Sequence, residues 1–325
     1  MSQKILNNNV ILLMYIIIIY IIGNNIFYLS AYADLPDEIN KIQNCKNSKI
    51  IDKAISNSNS KDKKNDNKDD TKPIENFHHI KKFDSDGKLI YRWGFKGTGD
   101  GEFLHSHGIG SDSKGNIYVS DAVLCNIQKF DNNGRYLLKF GSRGNGPAEF
   151  LQPESIAIDK KDNLFIVDYA TQHVQKFDSN GNFITMWGSK GTKNGQFMKP
   201  WGIGVDSIGN VYVGDQENPV IQKFDNNGNF ITMWGSKGSN EGQFIENHGI
   251  AVDKSGYVYV VDTRNVRIQK FDSNGNFITM WGSLGCKDDQ FLIPHDITID
   301  PKGNIYVSDS GNVHFRDNYL CISNK

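Results

Sequence analysis

Five aligned positions carry side chains that can do chemistry: His107, Glu154, Trp201, His248 and His295. Each stands immediately before a Gly-Ile step or its counterpart. Imidazole and carboxylate are both metal ligands, and three or four of them converging can bind zinc. His107, His248, His295 and Glu154 are therefore the candidate metal ligands. A second set is cationic. Lys96, Arg143, Lys190 and Lys237 occupy one matched position, broken by Leu284, and Arg264 and Arg267 lie in a neighbouring loop. Cations arranged around an opening focus a positive potential whatever the net charge. They point to an anionic partner, such as an acidic glycan or a carboxylate-bearing peptide, with Trp201 placed to stack on a sugar or peptide ring.

What aligns these positions is a repeat. Phe83, Phe130, Phe177, Phe224 and Phe271 are 47 residues apart. So are Asp112, Asp159, Asp206, Asp253 and Asp300, and a second series, Asp121, Asp168, Asp215, Asp262 and Asp309. A fixed period near this length marks stacked supersecondary units. Each copy holds four short apolar runs; in the third copy they are Ile203–Val205, Val211–Val213, Val220–Phe224 and Phe230–Trp234. Asn-Gly or Asp-Gly separates the last two runs, a hairpin signal because both residues tolerate positive φ. Four antiparallel strands per unit, repeated, predict an all-β propeller of four-stranded blades.

The pattern F-x-x-P-x-G-I-x-x-D-x-x-G-N-x-Y-V-x-D-x-x-x-x-x-I-Q-K-F-D-x-x-G-x-F resembles the NHL repeat over roughly residues 80–313. That resemblance implies a propeller and leaves activity open, since propellers host many functions. First-and-second strand pairs and third-and-fourth pairs number five each, offset by half a unit. Five blades are expected, closed by pairing of 80–93 with 291–309; the alternative is a six-bladed type lacking its last blade. Ser310-Gly311-Asn312-Val313 begins another third strand that the tail abandons.

A second, local resemblance is to the peptidyl-hydroxyglycine lyase propeller, at F-L-H-S-H-G-I around His107, N-H-G-I around His248 and I-P-H-D-I around His295. It implies zinc held by His107, His248 and His295. Tyr169 and Arg264 are the counterparts of that family's tyrosine and one of its arginines.

Residues present in every copy serve what every blade needs. Both Asp series are read as acceptors for turn and loop amides. Trp93, Phe140, Trp187, Trp234 and Trp281 are read as fourth-strand packing. Function should sit where the copies differ.

The 325 residues carry a net charge of −1, with 32 glycines and 8 prolines, which gives no global bias toward nucleic acid. Cys45, Cys125, Cys286 and Cys321 show no C-x-x-C spacing, so a zinc knuckle or RING module is excluded. Disulfides, including Cys125–Cys286, stay open. No Ser–His–Asp spacing or phosphate-cradling glycine loop stands out. Residues 1–33 read as a signal peptide or signal anchor, with the apolar run Val10–Ile22 and the small-x-small site Ala31-Tyr32-Ala33. Residues 34–76 read as a disordered polar linker, 77–313 as the propeller and 314–325 as an irregular tail. The chain is expected to be exported and monomeric, touching membrane only through its N-terminal segment, with nucleic acid not its natural ligand. The leading reading is an exported binding module that uses the channel-mouth face. The alternatives are a zinc-dependent lyase or hydrolase and a structural cell-surface display protein.

Overall fold

The computed structural model describes residues 79–309 apart from 85–87 and 286. The expected signal segment, the linker, the tail and Cys286 lie outside the described residues. In chain order, a hairpin of β1 (Ile80–Phe83) and β2 (Leu89–Trp93) comes first. A small parallel pair follows, β3 (Phe95–Lys96) with β4 (Glu102–Phe103). The first complete blade is β5 (Ser106–Ser111), β6 (Ile117–Asp121), β7 (Asn126–Phe130) and β8 (Tyr136–Phe140). Another parallel pair, β9 (Ser142–Arg143) with β10 (Glu149–Phe150), leads to the second blade. That blade is β11 (Pro153–Ile158), β12 (Leu164–Asp168), β13 (His173–Phe177) and β14 (Phe183–Trp187).

The third blade is β15 (Pro200–Val205), β16 (Val211–Asp215), β17 (Val220–Phe224) and β18 (Phe230–Trp234). The fourth is β19 (Asn247–Val252), β20 (Val258–Asp262), β21 (Arg267–Phe271) and β22 (Phe277–Trp281). A half blade, β23 (Pro294–Ile299) with β24 (Ile305–Asp309), ends the described chain. Strands within each blade pair in sequence order. The chain is all-β, as its apolar alternation requires.

The second and third strands are buried on both faces; in β12, β16 and β20 every residue is buried. Fourth strands mix half-buried and exposed residues, alternating most clearly in β18, because only one of their faces meets a neighbour. Blades seal against each other through that face. Trp187 packs on Phe224 of the next blade at 5.7 Å and Trp234 on Phe271 at 5.8 Å. Third-strand lysines reach across the same seam: Lys129 donates to the Ser179 carbonyl at 2.7 Å and Lys223 to the Ser273 carbonyl at 2.8 Å.

The hairpin turns differ from expectation in one respect. At 225–229 only Gly228 takes a positive φ, 87°, while Asn227 does not. The Asp225 carboxylate holds the turn instead, accepting the Asn227 and Asn229 amides at 2.8 and 2.9 Å. An aspartate at the turn's first position replaces the second positive φ that a two-residue turn needs.

The expected pairing of 80–93 with 291–309 is not made. β1–β2 and β23–β24 each form a separate two-stranded sheet. The β1–β2 hairpin is held by the first complete blade: Lys82 donates to the Asn132 carbonyl at 2.9 Å and Trp93 packs on Phe130 at 5.9 Å. These are the contacts that the outer half of a preceding blade makes elsewhere. At the other end β23 packs on β19 and β20. The faces between β23–β24 and β5 are left uncovered. Ile109 is 55% exposed, whereas its counterparts Ile156, Ile203, Ile250 and Ile297 are 6–8% exposed.

The second Asp series anchors the entry to each first strand. Asp168 is fully buried and accepts the amides of Leu151 at 2.7 Å, Gln152 at 3.1 Å, Ala170 at 3.0 Å and Thr171 at 3.0 Å. Asp178, in an exposed turn, accepts from Asn180 and Asn182. Orphaned buried amides cost far more than exposed ones, which water satisfies. Asp168→Ala should therefore lower unfolding free energy by roughly 3–4 kcal/mol and Asp178→Ala by about 1 kcal/mol, measured by chemical denaturation.

Candidate functional site

The mouth of the central channel is built from the second residue of each first strand: His107 on β5, Glu154 on β11, Trp201 on β15, His248 on β19 and His295 on β23. A bulge sits at each of these places. In β15, Pro200 pairs with Asp215 but pairing resumes only at Ile203 with Val213. The extra residue re-aims the side chain out of the ladder. The residue behind explains why the copies converge. A Cβ on Gly202 would lie 1.8 Å from the His248 carbonyl oxygen, and one on Gly108 would lie 2.2 Å from that of Glu154. Inner strands of successive blades thus touch through backbone, and the side chains just before the glycines crowd into one place.

Trp201 is the hub. Its ring lies 5.2 Å from His248 in a stacked arrangement, 5.0 Å from His107, 6.0 Å from His295 and 5.6 Å from Tyr169. His248 and His295 meet edge to face at 4.4 Å, and His107 lies 6.3 Å from His295. The sequence-predicted mouth residues are therefore all brought together, and Tyr169 with them.

Their polar groups face one another, and Glu154 Oε2 is buried without a hydrogen-bond partner among the described residues. His107 Nδ1 is 2.8 Å from the Glu154 carboxylate, whose other oxygen accepts from Gln152 Nε2 at 2.6 Å. His248 Nε2 is 2.9 Å from Glu246 Oε1, and Arg264 Nε donates to Glu246 Oε2. His248 Nδ1 is buried with no partner among the described residues. Beside Tyr169, Lys199 is 3.2 Å from Glu217.

These pairings do not fit a zinc site. Among the described residues no three His, Cys, Asp or Glu side chains are arranged to hold a metal ion. Two proposed ligands face carboxylates, one Glu154 oxygen is taken by Gln152, and the Trp201 ring lies within 5.2 Å of both His107 and His248. The spacing of the copies predicts proximity, and proximity is found; a shared ligand point is not.

Arg267 is a correction. It is buried, and its guanidinium is taken up by Asp262 at 2.9 Å and by the carbonyls of Ser239, Asn240 and Gln243 at 2.7, 2.9 and 2.9 Å. It ties a loop to β21 and has no face for a ligand. Lys96, Arg143, Lys190 and Lys237 are exposed and share one structural position, opposite Phe103, Phe150, Phe197 and Phe244 in the short parallel bridges. That position follows the outermost strand, three strand spacings or about 14 Å outward of the innermost one. The cations form a rim, with the imidazole and carboxylate cluster at the centre. None of the four makes an ion pair among the described residues. Cys125 is a free, buried thiol near the Leu151 carbonyl at 3.3 Å.

Glu246, Gln152, Lys199 and Glu217 are missing from the sequence-based site. Glu246, Gln152 and Lys199 share the position two residues before the mouth residue, and that position also varies between copies, with His105 and Ile293 completing it. The comparison that singled out the mouth residues would have found these three.

A cavity of about 550 Å³ lies in the channel, lined by Ile156, Ile203, Ile250 and Ile297 together with Asp296 and Tyr306. Asp296 stands where other copies have glycine or serine. Its carboxyl is crowded by protein, which raises its pKa above the ordinary carboxylate range.

Burial, then the neighbouring His248 and His107, lower the His295 pKa from 6.5 to about 4. For Glu246, burial opposes ionisation, but the hydrogen bonds from His248 and Arg264 outweigh it and hold the carboxyl at about 2 against an ordinary 4.5. The signs agree. The unfolded chain protonates His295 first, so stability is lost as pH falls from 6.5 toward 4; the Glu246 contribution is full above 4.5 and lost as pH falls through about 2. His295→Gln should flatten the upper window alone and Glu246→Gln the lower window alone, read from denaturant unfolding across pH.

The NHL repeat family matches residues 248–271 and 291–314, and a 6-bladed beta-propeller family matches residues 111–186. No curated protein matches the chain in sequence. Among solved structures, streptogramin B lyase is similar at 15% identity and a TM-score of 0.50, over 64% of this chain and 63% of that one. The chain thus spans less than two thirds of that enzyme. Virginiamycin B lyase from Staphylococcus aureus is similar at 14% identity and a TM-score of 0.52, over 72% of this chain and 71% of that one. A catalytically inactive form of the latter with quinupristin gives 14%, 0.54, 75% and 76%. At such identities the likeness is one of fold. With two NHL repeat matches falling in the repeats and propellers among its structural neighbours, the chain carries NHL-type repeats on a β-propeller fold.

Proposed function

We propose that this chain is an exported binding module that takes an anionic partner, an acidic peptide or glycan, on its channel-mouth face. One observation carries the reading: four exposed cations, none in an ion pair among the described residues, repeat at one position around a mouth where the copies diverge. Side chains that all copies share are consumed by folding. Lys96, Lys190 and Lys237 are not, Arg143 only grazes the Cys125 sulfur at 3.6 Å, and nothing in blade construction needs a cation there, since Leu284 fills the same place. Arg264 and Lys199 add partly compensated positive charge nearer the centre. Export rests on the basic start, the apolar run and the small-x-small site of residues 1–33.

The lyase reading draws no support from the mouth. Its histidines are directed at carboxylates and at one another, and the lyases among the structural neighbours share the fold at 14–15% identity.

Retention of the purified chain on an anionic glycan or polyglutamate column tests the proposal. Charge reversal at Lys96, Arg143, Lys190 and Lys237 together should abolish retention at about 0.15 M salt, and Trp201→Ala should weaken it with the melting transition little changed. Unchanged elution of the fourfold variant rejects the rim as the binding surface. More than about 0.1 zinc per chain after dialysis against zinc would restore the enzyme reading.

A further inference from the structure

The five loops that begin at the rim position differ in charge, and the third stands apart. From that position to the loop phenylalanine, the first holds Lys96, Asp100 and Glu102, and the second Arg143 and Glu149. The fourth holds Lys237 and Glu241, and the fifth Lys287, Asp288 and Asp289. The third holds Lys190 and Lys193 with no acid, so it alone is net positive. Lys139 offsets Asp100 at 2.9 Å, which leaves the first sector neutral.

Folding does not account for this difference. In the first two loops a glutamate closes the turn: Glu102 accepts the Gly99 amide at 2.8 Å and Glu149 the Gly146 amide at 2.9 Å. In the third, Gln196 accepts the Lys193 amide at 3.3 Å, and in the fourth Gln243 accepts that of Asn240 at 3.1 Å. A carboxamide oxygen serves the turn without bringing a charge. Asn194 stands where three other copies have an acid, Asp100, Glu241 and Asp288. Lys190, Lys193 and Asn194 are exposed, and neither lysine is in an ion pair among the described residues.

The same loop leads to the aromatic side of the mouth. It runs inward from the rim, through Lys199, to Trp201 on β15. Tyr169 meets Trp201 edge to face at 5.6 Å, with 86° between the ring planes. Lys199 stands beside this pair; burial opposes its charge, but Glu217 and Tyr169 outweigh burial and raise its pKa. From the rim to Trp201 the span is about 14 Å, or about four residues of extended chain.

Charge changes sign along that span. Glu217, Glu154 and Glu246 lie at or beside the mouth. A polyanion charged at every unit would run into those carboxylates. A ligand that is acidic at one end and aromatic at the other is matched at both.

We propose that the third copy forms a radial docking track for an extended peptide, with an acidic pair held by Lys190 and Lys193 and an aromatic side chain about four residues away against Trp201 and Tyr169. This site rests on the anionic-partner reading and confines that partner to a peptide in one sector of the rim.

The probe is a fluorescently labelled peptide, Glu-Glu-Ser-Gly-Ser-Trp, titrated with the full-length chain and followed by anisotropy at about 0.05 M salt. Saturable binding is expected. Lys190→Glu with Lys193→Glu should weaken it by about tenfold or more, and Lys96→Glu with Arg143→Glu by clearly less. Moving the tryptophan next to the glutamates should weaken binding about fivefold, and Trp201→Ala should erase that difference. Equal losses in the two double variants, or indifference to the tryptophan's position, overturn the track and leave an anionic partner on the rim standing. A chain that ignores the peptide yet is retained on polyglutamate does the same. Retention on a sulfated glycan alone also overturns the track and assigns the rim to a glycan. Binding to none of the three overturns both the track and the reading beneath it.

Discussion

The backbone contact between successive inner strands is the constraint on which the rest depends. A propeller narrows toward its axis, so the innermost strands have the least room, and here they meet with no side chain between them. Gly249 shows how tight the fit is: a Cβ there would come within 2.5 Å of Asp296 Oδ1 and 2.7 Å of its Cα. Where space allows only glycine or serine, the residue in front must project away from the seam and toward the axis. The convergence of His107, Glu154, Trp201, His248 and His295 is thus a by-product of packing. Any residue type placed there enters one crowded, partly desolvated cluster.

That geometry divides the chain's polar groups into two kinds. The second aspartate series, the third-strand glutamines and the third-strand lysines are buried because each satisfies backbone groups that loops leave over. Burial lowers the pKa of Lys129 and Lys176 and raises that of Asp215 and Asp262. These side chains carry load for the fold, since the same residue types stand at the same positions in every complete blade. At the mouth the same physics acts on side chains that no blade repeats. Burial and two neighbouring imidazoles keep His295 neutral, and paired donors keep Glu246 ionised. Perturbation marks a site only where it coincides with variation between copies.

Reading the copies against each other made the fold legible, because a 47-residue period carries strand order, turn position and core phase at once. Both Asp series, the Trp seals and the mouth residues follow from it. What stayed hidden is pairwise. Period and type place Arg267 in a loop of the right face, but nothing in them shows that three carbonyls and Asp262 close around its guanidinium. His107 and Glu154 look like two ligands of one ion, and only the structure shows that His107 Nδ1 lies 2.8 Å from the Glu154 carboxylate itself. Loop membership says nothing of radial distance, so the spacing of Lys96, Arg143, Lys190 and Lys237 does not show that they lie outward of the mouth residues. Closure failed for a related reason. A half-unit offset permits 80–93 to meet 291–309 without requiring it, and the two ends form separate two-stranded sheets.

The uncovered seam and the mouth are therefore connected. Between every other pair of neighbouring units the inner strands pack directly, β5 on β11, β11 on β15, β15 on β19 and β19 on β23. Between β23 and β5 that packing is missing, and Ile109 stays exposed. At the mouth, the ring contact of His295 with His107 spans this interval at 6.3 Å. Side chains on first strands are here standing in for a strand seam. A charge on His295 would weaken that bridge. The variable residues at the mouth thus do two jobs in one place: they present the chemistry in which the copies differ, and they span the interval that the repeat itself leaves unpacked.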